Sequence, residues 1–492
     1  VSGHDTPFDV AIIGAGVCGA SIAHALCSRR LRVVLLEKAA DVCFGVSKAN
    51  SGIVHGGFHH PGALLKSRLE LAGAALFDRL HRRLHFPFKR VGICVVAFSD
   101  EEMKTVERLY ARGKANGVKQ LEICGAERIM RLEPGLNTDA VGGLYAPDGG
   151  IIEPYRYVFA LTECARQNGV SIRCGFDVVR AEDRGDAYVI HSDTGDAVRA
   201  RYVVNAAGLY ADDISRLFGG EQFRIKARKG EEYLLDRNAA CHPRHVLFPV
   251  PATNSKGILV IPTVEGTTMI GPTAEMVDDK TDVSAGAENL QRVFTHAKHM
   301  VPAVSRRDII TAFAGLRATL DDGDFFIACS QSAPRLIQVA GIQSPGLTAS
   351  PAIGEYVRRL LEEAGLTMRP HKGFRASIAA PATARDTTAD ELAALIERDP
   401  RYGAIVCRCE RVSEAEIVEA IHKGHDTLDG IKFYTRAGMG RCQGGFCTYK
   451  ILKILARETG RPMSSFTKRG GGSALLYGEL GGAGAPGEGA KG

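Results

Sequence analysis

The 492-residue chain has no tryptophan and an aromatic share of 7%, and neither sign of charge dominates it. Its 62 basic and 56 acidic residues are spread along the length and leave a net charge of +6. No dense basic stripe points to nucleic acid and no polybasic cluster to a membrane anchor, while the mild positive excess suits an anionic substrate. Long apolar runs are scarce too. The longest uncharged run, Val10 to Cys27, is broken by Gly14, Gly16, Gly19 and His24, which fits a glycine loop of a soluble protein better than a membrane span. Asp5 and Asp9 stand where a secretory leader would carry basic residues. The expectation is a cytoplasmic protein without a transmembrane segment, or one held on the inner face of a membrane through a partner.

A hydrophobic share of 45% and a charged share of 24% exclude disorder, collagen and disulfide miniproteins. At roughly 100–200 residues per domain the length predicts about three domains. Glycine is in excess, 56 residues or about 11% against a usual value near 7%, so some backbone must turn sharply or approach a ligand closely. Of 13 cysteines, nine are scattered without pairing rhythm and read as small buried hydrophobes. The other four, Cys407, Cys409, Cys442 and Cys447, form two tight pairs near the C-terminus.

Phe8 to Ile13 reads as a buried strand that runs into Gly14-Ala-Gly16-Val-Cys-Gly19 and then a helix expected over 20–28. A second strand, Leu31 to Leu36, ends in Glu37 and Lys38, with Glu37 placed where a ribose-binding acid belongs in a dinucleotide fold. Gly14 permits the turn, Gly16 lets the backbone approach a pyrophosphate, Gly19 lets helix meet strand, and the helix N-terminus offers N–H groups to phosphates. A second GxGxxG at Gly482 to Gly487 has neither strand before it nor helix after it. One dinucleotide is therefore expected, and this motif alone leaves FAD and NAD open.

Three further segments decide for FAD by resemblance. Ser47-Lys48-Ala49-Asn50-Ser51-Gly52-Ile53-Val54-His55 resembles the segment that passes beside the flavin in the D-amino-acid-oxidase-like superfamily. Asn205-Ala206-Ala207-Gly208 is similar to its strand and turn over the cofactor, and Gly341-Ile342-Gln343-Ser344-Pro345-Gly346-Leu347-Thr348, with a helix expected over 349–361, to its last flavin loop. The likeness is to the glycerol-3-phosphate dehydrogenase and L-2-hydroxyglutarate dehydrogenase branches. It implies an α/β protein with a Rossmann-type FAD-binding domain in three pieces, about 8–85, 145–225 and 312–366. A mostly β substrate cap, about 86–144 and 226–311, is interleaved with it. A helix N-terminus aimed at the flavin would stabilise the reduced ring.

The same resemblance implies that Arg317, in Ala314-Gly315-Leu316-Arg317, grips an anionic substrate over the flavin. Flavin oxidation of a secondary alcohol needs a base for the hydroxyl proton, and His55 is the first candidate. His59 and His60 stand where the hydroxyglutarate branch has two tyrosines, and Lys66 and Tyr233 are weaker candidates for substrate contacts. The loop 341–348 has no lysine or arginine, unlike the glycerol-3-phosphate branch, and so looks more like the hydroxyglutarate one.

After a linker, 367–402, comes a cysteine module over 403–460 with the spacing C-x-C-x32-C-x4-C. It closely resembles the bacterioferritin-associated-ferredoxin-like [2Fe–2S] module, as fused to anaerobic glycerol-3-phosphate dehydrogenases. The resemblance implies a small, mainly helical iron–sulfur domain whose ligands are Cys407, Cys409, Cys442 and Cys447, with Arg408, Arg411, Arg436 and Arg441 near the anionic cluster. Structural zinc is the competing reading of the cysteines. Residues 461–492 read as a glycine-rich disordered tail. Together the modules predict an FAD-dependent dehydrogenase of a small anionic secondary alcohol, with glycerol 3-phosphate ahead of L-2-hydroxyglutarate. Electrons would pass by the cluster to an acceptor subunit or quinone-linked partner. A different-class alternative is a non-catalytic redox-sensing flavoprotein.

Overall fold

Beyond Asp9, the strand Phe8–Ile13 carries no polar side chain and is buried on both faces, as a central parallel strand must be. In the computed structural model it pairs in parallel with Val33–Glu37 on one side and Ala197–Asn205 on the other. Ser171–Cys174 and Leu336–Ala340 extend the parallel set, and Val178–Asp183, Tyr188–Ser192 and Phe326–Cys329 add antiparallel strands. The helices Val17–Leu26, Pro154–Gln167 and Gly346–Glu363 pack against one another on this sheet. The structure describes residues 6–251, 256–476 and 478, and the chain divides into two units, Val1–Ala380 and Pro381–Gly492.

The first unit also holds a second large sheet, of nine strands, and a small one of three, Ile53–Val54, Gly150–Ile152 and Phe88–Arg90. The longest pairing of the nine-stranded sheet is antiparallel, Lys226–Leu235 against Ile309–Thr319, with Arg228 opposite Arg317 and Glu232 opposite Phe313. Helix Ala287–Met300 packs on it, and Val293, Ala297 and Met300 join Leu235, Leu247, Val260 and Ile270 in a buried core. Tyr233 points to this apolar side. Its neighbour Glu232 projects to the opposite face because side chains alternate along a strand.

Two helices begin earlier than their sequence suggests. The first runs Val17–Leu26, so Gly19 lies inside it. A Cβ there would stand 1.9 Å from the Gly14 carbonyl oxygen, so the helix can lie on the turn only if residue 19 has no side chain. The helix expected over 349–361 runs Gly346–Glu363, its first turn being the end of the loop 341–348.

In the second unit, Ile405–Cys407 pairs with Val412–Ser413, and helices Glu414–His422, Leu428–Thr435 and Thr448–Thr459 follow. Capping boxes start two helices: Thr388 with Glu391, and Ser413 with Glu416. Ile417, Val418, Ile431, Ile451, Leu455 and Phe466 are buried. The segment after Gly460, read from sequence as tail, continues this packing: Phe466 is buried and Lys468 bonds Asp429 at 2.6 Å. The glycine-rich stretch from 479 onward lies outside the described residues. Among those described, no helix is long and apolar enough to cross a membrane.

Candidate active site

The residues expected to hold a dinucleotide converge at the carboxyl ends of the parallel strands. Gly14 takes φ +100°, and a Cβ on it would meet the Ala206 carbonyl oxygen at 2.5 Å, so the glycine turn and the Ala206-Ala207-Gly208 turn lie against each other. Helix Val17–Leu26 starts at Gly16 with no side-chain cap on Gly16 itself, while Ser47 Oγ accepts from Val17 N–H at 2.9 Å. Glu37 is buried. One of its carboxylate oxygens accepts from Ala15 N–H at 2.8 Å and the other from Ala39 N–H at 2.9 Å. Burial pushes its carboxyl up, opposed by these two donors. Lys38 stacks its ammonium on the Tyr210 ring, 3.4 Å from the centroid. Asn205 is fully buried and donates to the Ala211 carbonyl and to Gln338 Oε1, fixing the strand end before Ala206. These features make a glycine-walled cradle beside a helix start that has no side chain of its own at the cap position, and they fit an FAD pyrophosphate and ribose.

The loop 341–348 and the 47–55 segment are tied together by one side chain. Thr348 Oγ1 accepts from His55 N–H at 3.0 Å and donates to the Ile53 carbonyl at 3.2 Å. Thr348 is thus a clip that sets the position of His55. Thr348→Val should lower stability by about 2 kcal/mol, because it leaves a buried N–H and a buried carbonyl without their partner. Thermal unfolding of the purified protein checks this, and an unchanged midpoint would remove the clip from the argument.

His55 Nε2 lies 3.2 Å from Ser344 Oγ, and its Nδ1, buried, has no partner among the described residues. Burial drives its pKa well below 6.5, with Lys256 and His60 adding repulsion, so the imidazole is neutral at pH 7. His59 stands edge-on to it at 5.8 Å between centroids and stacks on Phe58 at 4.2 Å. His60 is pushed down to about 3, by burial first and then by Lys256, Lys66 and Arg112. Unpartnered buried nitrogens on all three histidines mark a polar space built to receive another group.

Lys256 lies beside that space, and Arg317 is close enough to repel it. Arg317 donates through Nη2 to the Thr273 carbonyl at 2.6 Å, which fixes the plane of its guanidinium. Burial lowers its pKa to about 10, Arg228 repels it and Glu232 attracts it. Lys256 places Nζ 3.2 Å from Ser344 Oγ, and burial brings its pKa down to about 8. It was not among the residues singled out from sequence. Ser51 Oγ donates to Glu232 Oε1 at 2.7 Å, and burial lifts that carboxyl to about 7 against Ser51 and Arg317.

Two other expectations fare differently. Lys66 is buried but donates to the Gly323 carbonyl at 2.6 Å, and its N–H bonds Asp324. Tyr233 packs on the apolar core of the second sheet. Lys66 is thus near enough to repel His60 but turns its ammonium to Gly323, while Tyr233 lies on the core side of its strand. The sequence reading found no base in the loop 341–348. The structure supplies one from elsewhere in the chain, Lys256, against Ser344 of that very loop.

In the second unit the four cysteines form two pairs across the fold. Cys409 Sγ lies 3.6 Å from Cys442 Sγ. Cys407 is hydrogen-bonded to Cys447, which is the largest cause holding the Cys407 thiol down at about 6, and N–H groups of Gly438 and Glu410 add to it. Two thiol pairs with backbone donors suit two irons taking two thiolates each, whereas one zinc needs four thiols around a single point. Arg436 is buried within the unit. With Arg385 it bonds buried Glu410, at 3.0 and 2.9 Å, while Arg408, Arg411 and Arg441 are exposed.

Residues 9–360 match the sequence model of the family described as FAD dependent oxidoreductase, and residues 405–457 that of the BFD-like [2Fe-2S] binding domain. The chain is 42% identical over 475 residues to a glycerol 3-phosphate dehydrogenase of Caloramator mitchellensis, covering 96% of this chain and 98% of that protein. Against the mitochondrial L-2-hydroxyglutarate dehydrogenase of Nematostella vectensis it is 26% identical, over 72% of this chain and 89% of that one. Among solved structures, the dithionite-reduced L-alpha-glycerophosphate oxidase of Mycoplasma pneumoniae with FAD bound superposes with a TM-score of 0.73 at 28% identity. It spans 77% of this chain and all of that one.

Proposed function

Because the chain belongs to the FAD dependent oxidoreductase family and carries a BFD-like [2Fe-2S] binding domain, we propose that it oxidises sn-glycerol 3-phosphate to dihydroxyacetone phosphate and delivers the electrons through the cluster to an external acceptor. The observation that carries the substrate is the pair of half-buried cations, Lys256 beside Ser344 on the histidine-lined space and Arg317 close enough to repel it. A phosphate dianion offsets two desolvated positive charges better than a neutral alcohol can. Similarity to the Caloramator dehydrogenase along nearly its whole length agrees with this.

The flavin, when bound, supplies the hydride acceptor, and the cluster supplies one-electron transfer. The chain's own residues do the rest. Neutral His55 takes the hydroxyl proton, with its imidazole oriented by Ser344 and by the Thr348 clip. Lys256 and Arg317 hold the phosphate. Glu37, with the glycine turns of Gly14, Gly16, Gly19, Gly52 and Gly208, holds the dinucleotide. The same role falls to Ser47, Asn50, Ser51, Ala206, Ala207, Gly341, Ser344, Gly346 and Leu347 in the flanking loops. Cys407, Cys409, Cys442 and Cys447 hold the cluster. The acceptor is a protein subunit or quinone-linked partner, which would also give the chain any membrane association it has.

The L-2-hydroxyglutarate reading is kept alive by the loop 341–348, which carries no lysine or arginine of its own. Anaerobic titration with each compound, following the flavin band, separates them. Bleaching by glycerol 3-phosphate at far lower concentration is expected, whereas bleaching only by L-2-hydroxyglutarate would overturn the assignment.

Lys256 gives the reaction a pH signature. The ammonium is present below about pH 8 and lost above it, so KM for glycerol 3-phosphate should rise about tenfold for each pH unit once pH exceeds that value. Lys256→Met should raise KM at pH 7 and flatten this rise. A wild-type KM constant from pH 7 to 9.5 would argue that Lys256 does not meet the anion.

A further inference from the structure

Helix Thr448–Thr459 buries Ile451, Leu452, Ile454 and Leu455. Its other face holds Tyr449, Lys450 and Lys453, and the turn just before it holds Phe446, so positions 446, 449, 450 and 453 fall on one stripe at helical spacing. Phe446 is 82% exposed, more than any other large apolar side chain among the described residues, and Tyr449 is 57% exposed. Lys453 Nζ lies 4.7 Å from the Tyr449 ring centroid. Phe446 sits between Cys442 and Cys447, two of the cluster thiols, so whatever covers it lies beside the cluster.

Arg441, Lys450 and Lys453 are exposed on and beside this stripe, while two further basic residues of the segment 430–457 are ion-paired, Arg436 with buried Glu410 and Arg457 with Glu414 and Glu458. On the other cysteine loop Arg408 and Arg411 are exposed, and the intervening Glu410 is buried between Arg385 and Arg436. An exposed aromatic centre within a basic rim is the composition of a protein-docking surface, with aromatics at the core and charge at the edge.

We infer that this face docks an acidic, electron-accepting protein, which receives electrons directly over the Cys442–Cys447 segment. The inference rests on the proposed function, in which the cluster is the electron exit. Each glycerol 3-phosphate oxidised gives up two electrons and two protons, so two one-electron reductions of the partner balance one substrate. The basic rim steers the acidic partner to its encounter, and Phe446 and Tyr449 supply the dehydrated contact that aligns it.

The test uses the full-length holoenzyme and two haem proteins as probes, acidic cytochrome b5 and basic cytochrome c. Flavin reduction and cluster reduction by glycerol 3-phosphate are followed first by stopped flow, in the wild type and in the Lys450→Glu/Lys453→Glu double variant. Both steps should be unchanged by the substitutions. If the wild-type flavin or cluster is not reduced, the functional reading fails, and the docking question is then settled by binding alone. Binding of oxidised cytochrome b5, read by fluorescence anisotropy, should weaken at least tenfold in the double variant at low ionic strength, and its reduction should slow in parallel. Both differences should vanish near 1 M salt, where the Debye length is about 3 Å. Phe446→Ala should weaken binding with little change in salt dependence, and cytochrome c should show the opposite charge preference. Equal binding of cytochrome b5 to wild type and double variant would overturn the proposal. So would binding of the wild type, lost in the double variant, to vesicles of one-third phosphatidylserine with cytochrome b5 affinity untouched, since the face would then belong to a membrane surface.

Discussion

His55→Ala should slow flavin reduction by glycerol 3-phosphate about 10²- to 10⁴-fold, the usual contribution of a positioned general base, while substrate affinity changes far less. The expectation follows from three features of one side chain. Burial keeps the imidazole neutral, Ser344 faces its Nε2, and its backbone is pinned by Thr348. Because the ring is already neutral well below pH 6.5, it imposes no loss of rate between pH 7 and 6, so any decline there belongs to another group. Single-turnover stopped flow under anaerobic conditions measures the step, and added imidazole should restore part of the rate. A reduction rate within a few-fold of wild type would move the base to another residue, and His59 is the next in reach.

Cys442→Ala should separate the two halves of the enzyme. Its thiol lies 3.6 Å from that of Cys409, and removing it leaves one iron short of a ligand. The expected outcome is loss of the cluster's EPR signal and a fall of at least about 100-fold in turnover with a one-electron protein acceptor. Flavin reduction by substrate should stay close to wild type. Unchanged turnover with the cluster gone would mean that electrons leave the flavin directly.

The parts most legible in the sequence are those where local chemistry and fold demand the same residues. The strand–glycine–helix–acid run from Phe8 to Glu37 is one, and the cysteine spacing is another, because each motif needs its residues at fixed short separations. The strand Lys226–Leu235 was harder to read. Its sequence, KARKGEEYLL, looks like an exposed charged segment, yet it pairs with three strands of the second sheet. Among these charges Arg228 and Glu232 act on Arg317, Glu232 attracting its guanidinium and Arg228 repelling it. Lys256 was hidden for a similar reason. Between Ser255 and Gly257 it reads as a surface turn, and only the tertiary fold brings it to Ser344, 88 positions away. Tyr233 was misplaced by a single residue of strand phase: its neighbour Glu232 faces the site and the tyrosine faces the core.

The chain's two ways of combining parts differ in how often the backbone crosses between them. The pieces of the two large sheets alternate along the sequence, Ile93–Ala97, Gly142–Ala146 and Lys226–Leu235 in one, Phe8–Ile13, Ala197–Asn205 and Leu336–Ala340 in the other. The cysteine-bearing unit is joined at one place only, after Ala380. A single recombination event in a gene can therefore add or remove the cysteine-bearing unit and leave the first unit whole, whereas no one event can exchange the nine-stranded sheet. The Mycoplasma oxidase is matched along its full length by about three-quarters of this chain. Under the proposed function, the acceptor is the trait this architecture lets vary most freely, and the substrate is the one it must alter residue by residue.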